Sequence, residues 1–256
     1  MVLHSNILGK GQGQAFVILH GFLGMSDNWK THGKELSESG FEVHLIDQRN
    51  HGSSFWDDIF NYKVLVQDLK QYCDKHHLSN IILLGHSMGG KTAMLFAVKY
   101  PRVVDRLIIA DISPRYYQPH HTDILKALNS VDFSIQNSRK LVDEKITELI
   151  PDIGVRSFLL KNVYWKEKGI LAYRFNLQSL TKNNIEVGKA LPPFTTFDKE
   201  TLFLVGGNSG YIKENETSMI KAHFPKASIK TIANVGHWLH AEKPKVFYEL
   251  VMSFLI

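Results

Sequence analysis

The sequence predicts an α/β protein whose mostly parallel sheet is covered by helices on both faces and carries a helical cap. Over residues 1–112 and again over residues 198–256, short apolar runs alternate with segments of helical periodicity. This alternation is typical of parallel strands joined by crossover helices. In residues 113–197 the alternation stops and mainly helical patterns follow. We therefore expect a core made of the first and last stretches, with residues 113–197 inserted between core strands as a cap.

Each element is predicted from an apolar run or from a 3.6-residue period. The predicted strands lie at Val2–Leu8, Ala15–Leu19, Glu42–Ile46, Ile81–Leu84, Arg106–Ala110, Leu202–Val205 and Ile229–Ile232. The predicted core helices lie at Asp27–Leu36, Tyr62–His77, Met88–Tyr100, Glu214–His223 and Pro244–Phe254. In the cap, helical patterns occupy Thr122–Leu128, Ile135–Ile150, Val155–Asn162 and Glu186–Ala190.

The composition is that of an ordinary globular chain. Of its 256 residues, 44% are hydrophobic and 21% are charged, and the formal net charge is +5. The charges are scattered and of both signs, so we expect no nucleic-acid partner. Cys73 is the only cysteine, which excludes an intramolecular disulfide. Because no apolar run reaches membrane-spanning length and the N-terminus lacks a signal-peptide pattern, we expect a cytoplasmic protein with no membrane partner; its oligomeric state stays open.

The stretch Ile81–Tyr100, IILLGHSMGGKTAMLFAVKY, combines a strand, a tight turn and a helix. Its turn has the pattern G-x-S-x-G, with Gly85, Ser87 and Gly89 at the fixed positions. Such a turn strains its serine, and bulky residues two positions before or after it do not fit. The hydroxyl of Ser87 then stands beside a helix N-terminus, which favours developing negative charge. We predict that Ser87 is a nucleophile; the alternative is a helix-capping serine.

A serine nucleophile requires a base within hydrogen-bond reach and an acid that orients the base. Among 13 histidines, His237 is the candidate base, because it follows the last predicted strand and so reaches the sheet edge of Ser87. The expected chain order is Ser, then Asp or Glu, then His. Asp111 directly follows a strand and lies between the two, whereas residues 206–211, GGNSGY, offer no carboxylate after Leu202–Val205. Asp111 is therefore the preferred acid; the alternative is an aspartate that caps the following turn.

The remaining histidines are expected to be structural or exposed. His20, His51 and His86 lie in glycine-flanked turns and are expected to brace loops by hydrogen bonding. The pairs His76-His77 and His120-His121 have no Cys or carboxylate partners at ligand spacing. We expect these pairs to be solvated, and we expect no bound metal.

The negative oxygen of a tetrahedral intermediate requires backbone donors. Met88 follows the nucleophile, and Phe22 lies in the His20–Gly24 turn, so their N–H groups are the expected donors. Phe22 and Trp238 are also expected to contact the substrate. Two or three of the aromatic residues of the cap are expected to line a pocket, and the others to form the cap's core. These aromatic residues are Tyr116, Tyr117, Phe133, Phe158, Tyr164, Trp165, Tyr173 and Phe175.

Together these motifs resemble the α/β-hydrolase fold over the whole chain and, more narrowly, the YbfF-type esterases. The resemblance rests on His20–Gly24 (HGFLG), Asp47–Ser54 (DQRNHGSS), Gly85–Gly89 (GHSMG), Ala110–Pro114 (ADISP), Gly206–Ser209 (GGNS) and Gly236–Trp238 (GHW). It implies that Ser87 is the nucleophile, His237 the base and Asp111 the orienting acid, with Phe22 and Met88 as oxyanion donors. It also implies a hydrolase of small acyl esters or acyl-CoA thioesters that needs no cofactor.

Three functions stay open on this scaffold. The first is an esterase for small or short-chain acyl groups, acting through an acyl-enzyme on Ser87. The second is an acyl-CoA thioesterase, in which Lys161, Lys166 and Lys168 of the cap would hold phosphates; the simpler interpretation of these lysines is a solvated basic face. The third is a ligand-binding signalling protein whose serine, histidine and aspartate act slowly or once. Multiple turnover distinguishes the enzymes from the third class.

Overall fold

The computed structural model describes residues 1–256 and contains nine strands and eleven α-helices. The strands are β1 (Ser5–Leu8), β2 (Ala15–Leu19), β3 (Glu42–Ile46), β4 (Ile81–His86), β5 (Val104–Ala110), β6 (Val163–Glu167), β7 (Ile170–Tyr173), β8 (Thr201–Gly206) and β9 (Ala227–Ile232). The helices are α1 (Lys30–Glu38), α2 (Tyr62–Lys75), α3 (Met88–Lys99), α4 (Thr122–Asn129), α5 (Arg139–Ile146), α6 (Ile153–Leu160), α7 (Leu177–Lys182), α8 (Asn184–Val187), α9 (Thr217–His223), α10 (Leu239–Glu242) and α11 (Pro244–Leu255). None of these helices combines the length and the apolar character needed to cross a membrane.

Seven strands form one sheet in the order β1-β3-β2-β4-β5-β8-β9. Only β1 pairs antiparallel with its neighbour, and the other pairs are parallel, so the predicted mostly parallel sheet is confirmed. Side chains alternate between its two faces. Val17 of β2 packs in one apolar layer with residues of α2, α3 and α9, and Ile18 packs in the other with residues of α1 and α11. Both faces are therefore covered by helices.

Several predicted boundaries need correction. The first strand begins at Ser5 rather than Val2, and the first core helix begins as a 3₁₀ turn over Ser26–Trp29. The predicted helix Ile135–Ile150 is reduced to α5, because the side chain of Ser138 accepts a hydrogen bond from Leu141 N at 3.3 Å and caps the helix there.

The segment between β5 and β8 contains five helices, α4 to α8, and a two-stranded antiparallel hairpin of β6 and β7. The sequence analysis missed the hairpin and α7. Gly169 lies in the hairpin turn with φ +82°, a conformation that glycine adopts without strain. The strands on either side carry aromatic and aliphatic side chains that favour a half-buried ribbon.

This segment lies over the carboxyl edge of the large sheet. Its buried side chains, such as Leu125 and Phe175, form an apolar cluster that also contains Phe22 and Met88. Phe22 follows β2 and Met88 follows β4, so the cluster joins the segment to the ends of these strands. The edge at which parallel sheets bind ligands is therefore roofed by residues of the segment.

Lys91 of α3 holds both ends of this segment. Its side chain is buried, and its Nζ donates hydrogen bonds to the carbonyl oxygens of Pro114 at 3.1 Å and Lys189 at 3.0 Å, and to that of Arg115. Burial lowers the pKa of this amine to about 7. Lys91 is one helical turn after Ser87, so both ends of the segment are held close to the turn that contains Ser87.

Candidate active site

Ser87 occupies a strained turn between β4 and α3. Its φ of +53° and ψ of −118° lie outside the regions that side-chain-bearing residues favour. A Cβ atom on Gly85 would collide with the carbonyl of Gly89, and one on Gly89 would collide with the carbonyl of Leu19. The expectation that bulky residues do not fit at these two positions is confirmed, and even a Cβ atom has no room. The serine itself is 6% exposed and lies in the wall of a cavity.

Asp111 follows β5 and is fully buried, with φ +52°. Its Oδ2 accepts a hydrogen bond from His237 Nδ1 at 2.7 Å and another from Ser209 Oγ, while its Oδ1 accepts one from Gly206 N at 3.0 Å. Because a carboxylate can only accept, Nδ1 of His237 carries a proton, and the lone pair of the neutral ring is on Nε2. This hydrogen bond thus fixes the orientation of the imidazole and leaves its Nε2 free to accept a proton.

The structure brings Ser87 and His237 to the same cavity. Their side chains do not form a hydrogen bond to each other, whereas the bond between His237 and Asp111 is short. Hydrogen bonds between a nucleophile and its base commonly tighten only in the substrate complex. The three side chains named by the sequence analysis therefore converge on one site, with the histidine already oriented.

Two further residues of the site were missed. Ser209 donates to Asp111, and Tyr211 stacks on His237 with ring centroids 3.7 Å apart and planes inclined by 11°. Both belong to the loop after β8, which the sequence analysis searched only for a carboxylate. The sequence signal that could have found them is their position after a strand that ends at the same edge of the sheet.

The two expected oxyanion donors lie beside the serine. The turn that contains Phe22 passes so close that a Cβ atom on Gly21 would lie 3.3 Å from Cβ of Ser87. The Phe22 N–H has no acceptor within the protein. Met88 is the first residue of α3, so the carbonyls of its own helix do not reach its N–H. Both N–H groups are available to a ligand oxygen.

The turn histidines brace loops, as predicted. His20 Nδ1 donates to Gly21 O at 2.8 Å, and its Nε2 accepts from Gln48 N at 3.0 Å. His51 Nδ1 donates to Arg49 O at 2.9 Å, and its Nε2 accepts from Leu23 N at 3.1 Å. Burial lowers the pKa of both rings, that of His51 to about 3, which keeps them neutral and able to accept.

His86 also has a bracing role, and the prediction for His121 was wrong. His86 Nε2 donates to the carbonyl of His237 at 2.9 Å and holds the loop of that residue. His121 was expected to be solvated but lies in the cavity wall, with its ring centroid 4.8 Å from that of Phe22. Burial lowers the pKa of His121 to about 3. His121 directly precedes α4, whose Ile124 lines the same cavity.

The remaining paired histidines differ in their surroundings. His120 is exposed, as predicted, but its Nε2 forms a hydrogen bond of 2.7 Å with Tyr211 Oη at the cavity rim. His77 is exposed, as predicted, and His76 is half-buried because its ring packs against Tyr72.

The cavity has a volume of about 240 Å³ and combines polar groups from the sheet edge with apolar groups from the roof. It is lined by His20, Gly21, Phe22, Leu23, Asn28, Trp29, His86, Ser87, His120, His121, Ile124, Val155, Phe158, Leu159, Tyr211, His237, Trp238 and His240. Phe22 and Trp238 are thus in its wall, and the Trp238 ring packs against Phe158 at 5.7 Å between centroids.

The number of cap aromatics in this wall was overestimated. Only Phe158 of the eight lines the cavity, rather than two or three. Tyr173 and Phe175 are buried in the apolar cluster of the segment, and Tyr117 is buried in the apolar layer on one face of the large sheet. The basic side chains Lys161, Lys166 and Lys168 are exposed and lie outside the cavity wall.

The buried ring of His240 is expected to make the protein less stable in acid. Its ring stacks on Trp29 at 4.2 Å, its Nδ1 is buried without a partner, and burial lowers its pKa to about 3. Below pH 6.5 the unfolded chain binds a proton that the folded ring resists, so the free energy of unfolding falls as the pH falls. We expect His240→Phe to raise this free energy by about 2 kcal/mol at pH 5 and to change it little at pH 8.

Urea unfolding of both proteins at pH 8 and pH 5 measures this effect. The stacked ring and the apolar contacts are kept in the phenylalanine variant, so the difference between the two pH values isolates the titration. An equal difference between variant and wild type at both pH values would contradict the prediction.

The chain is similar to several known proteins in sequence and in fold. A family model described as alpha/beta hydrolase fold matches residues 14–146. The sn-1-specific diacylglycerol lipase ABHD11 of Mus musculus is 36% identical over 248 residues, which cover 94% of this chain and 80% of the relative. Esterase YbfF of Escherichia coli is 32% identical over 242 residues, which cover 93% of this chain and 91% of the relative. The solved structure of a marine microorganism esterase matches with a TM-score of 0.95 at 37% identity, over 99% of both chains.

Proposed function

Because the chain belongs to the alpha/beta hydrolase fold family, we propose that it is a serine hydrolase that cleaves carboxylic esters of small or short-chain acyl groups. One observation carries the proposal: the hydrogen-bonded pair of Asp111 and His237 lies at a cavity that also contains Ser87 on its strained turn. Relatives named esterases and a lipase support the same reaction class.

The reaction follows from the roles that the geometry supports. Ser87 Oγ attacks the acyl carbonyl carbon while His237 Nε2 takes the hydroxyl proton. When the tetrahedral intermediate collapses, the bond to the leaving alcohol breaks and the imidazolium returns the proton to the alcohol oxygen. Water then attacks the acyl-enzyme by the same route and releases the carboxylic acid. Asp111 stabilises the imidazolium in both halves.

The two free N–H groups support a role in stabilising the intermediate. The donors at Phe22 and Met88 flank the serine, and each such donor contributes about 3 kcal/mol to transition-state stabilisation. These donors act on the oxygen that becomes negative when the carbonyl is attacked. The positive end of the α3 dipole adds to this stabilisation of the negative oxygen.

The cavity supports small acyl groups. Its volume of about 240 Å³ is below the range of ~300–1,000 Å³ that pockets for drug-sized ligands have. Its roof presents the apolar side chains of Ile124, Val155, Phe158 and Leu159, which suit a hydrocarbon chain. The exposed cap lysines lie outside the cavity and do not favour the acyl-CoA thioester over the simple ester.

Steady-state hydrolysis of p-nitrophenyl acetate, butyrate, octanoate and palmitate tests the proposal, with acetyl-CoA and palmitoyl-CoA assayed alongside. We expect many turnovers per molecule, and we expect kcat/KM to fall about tenfold or more from butyrate to palmitate because the cavity is small. A preference for the thioesters would indicate the thioesterase instead. A burst of one product per protein without turnover would indicate the signalling protein.

A further inference from the structure

The Tyr211 ring lies face to face with the His237 imidazole. Their centroids are 3.7 Å apart and their planes differ by 11°. The tyrosine backbone is held on both sides, because its N–H donates to Ser209 Oγ at 3.2 Å and its carbonyl accepts from Tyr117 Oη at 2.6 Å. Ser209 in turn donates to Asp111. One loop therefore supports both the acid and the face of the histidine.

The hydroxyl end of Tyr211 is held as well. His120 Nδ1 donates to the carbonyl of Gln118 at 3.0 Å, because a carbonyl only accepts. In the neutral ring, Nε2 of His120 is then an acceptor, so Tyr211 Oη donates to it at 2.7 Å. A phenol that donates a hydrogen bond has a more electron-rich ring. The ring beside the imidazole is thus fixed in place and made more negative on its face.

We propose that Tyr211 is a positioning residue that keeps the His237 ring in its orientation and stabilises the imidazolium formed when Ser87 loses its proton. This inference rests on the proposed hydrolase function. The electron-rich face of an aromatic ring attracts a cation. Here the cation exists only after His237 Nε2 has taken the serine proton, so the attraction lowers the barrier more than it stabilises the resting state.

Of the groups around the imidazole, only the stacked phenol ring and Asp111 can stabilise its positive charge. Asp111 accepts from Nδ1 of His237 and carries the only negative charge in contact with the ring. His86, His121 and His240 also surround it, and burial lowers the pKa of each, so that all three stay neutral. None of the three contributes a charge that would compete with the imidazolium.

Two substitutions separate the ring from its hydroxyl. Tyr211→Phe keeps the stacked face and removes the bond to His120, and Tyr211→Leu removes the face. With p-nitrophenyl butyrate, we expect Tyr211→Phe to keep kcat within about threefold of wild type and Tyr211→Leu to lower kcat about tenfold with little change in KM. The acid limb of the kcat/KM profile should move to lower pH in the leucine variant alone. Tyr116→Leu, which changes an exposed tyrosine, is the matched control.

A structural role alone would lower kcat without moving the acid limb, and this result would overturn the proposal. Equal loss in the Phe and Leu variants would also overturn it. If Tyr211→Leu does not fold, Tyr211→Met replaces it, since methionine fills a similar space without an aromatic face.

A readout independent of turnover keeps this inference distinct from the proposed function. NMR titration of the His237 ring in wild type and in the leucine variant needs no substrate. We expect its resonances to change at lower pH in the variant. If wild type hydrolyses no ester but this shift is present, the proposed function fails and the stacking role stands. If the protein is an active esterase and the shift is absent, the stacking role fails alone.

Discussion

Ser87→Ala is expected to abolish ester hydrolysis and to lower kcat by about a millionfold, the loss seen when a nucleophilic serine is removed from such a site. The reason is specific to the atom that is lost. Alanine keeps the Cβ atom that the turn accommodates at φ +53°, so the strand, the turn and the helix should persist. Only the hydroxyl that we propose as the nucleophile is removed. Hydrolysis of p-nitrophenyl butyrate in steady state measures the effect.

Ser218→Ala is a matched control for this substitution. Ser218 is exposed on α9, outside the cavity wall, and its replacement should leave kcat within twofold of wild type. Thermal unfolding of both variants should occur near the wild-type temperature. Turnover by Ser87→Ala at a substantial fraction of the wild-type rate, in a folded protein, would refute the nucleophile assignment.

The strained turn of Ser87 was predictable because its requirements are local. Gly85 and Gly89 are demanded by backbone atoms a few residues away or on the adjacent strand, so a five-residue pattern describes the constraint. The position of Asp111 was predictable for a related reason. It directly follows an apolar run, and the carboxyl ends of parallel strands meet at one sheet edge. A short stretch of sequence therefore specifies where each side chain lies.

Other features of the site depend on how distant segments meet. Tyr211 stacks on His237, which is 26 residues later, and His121 packs against Phe22, which is 99 residues earlier. The place of Tyr211 after a strand indicates only the sheet edge, and the residues next to Tyr211 and His121 do not specify these ring contacts. The hairpin of β6 and β7 was missed because its apolar residues also fit a short helix, and the packing of the roof decides between the two. Such features follow from tertiary contacts rather than from local pattern.

Asp111→Asn is expected to lower kcat by about 10⁴-fold while leaving the fold intact. The amide has nearly the shape of the carboxylate, so its oxygen can stay in the place of Oδ1 and keep the contact with Gly206 N. Its NH₂ group then takes the place of Oδ2, which faces both His237 and Ser209, and can only donate. Nδ1 of the imidazole must accept, which moves the ring proton to Nε2 and leaves no lone pair toward the serine. The substitution therefore removes the base by changing its tautomer.

Glu214→Gln makes the same acid-to-amide change at an exposed residue of a 3₁₀ turn before α9, and it should leave kcat within twofold of wild type. This control separates the loss of one negative charge from the loss of orientation. A folded Asp111→Asn protein with nearly normal turnover would mean that the hydrogen bond to His237 is structural. In that case the three buried contacts of Asp111 would serve to close the sheet edge between β5 and β8, and another group would have to orient the base.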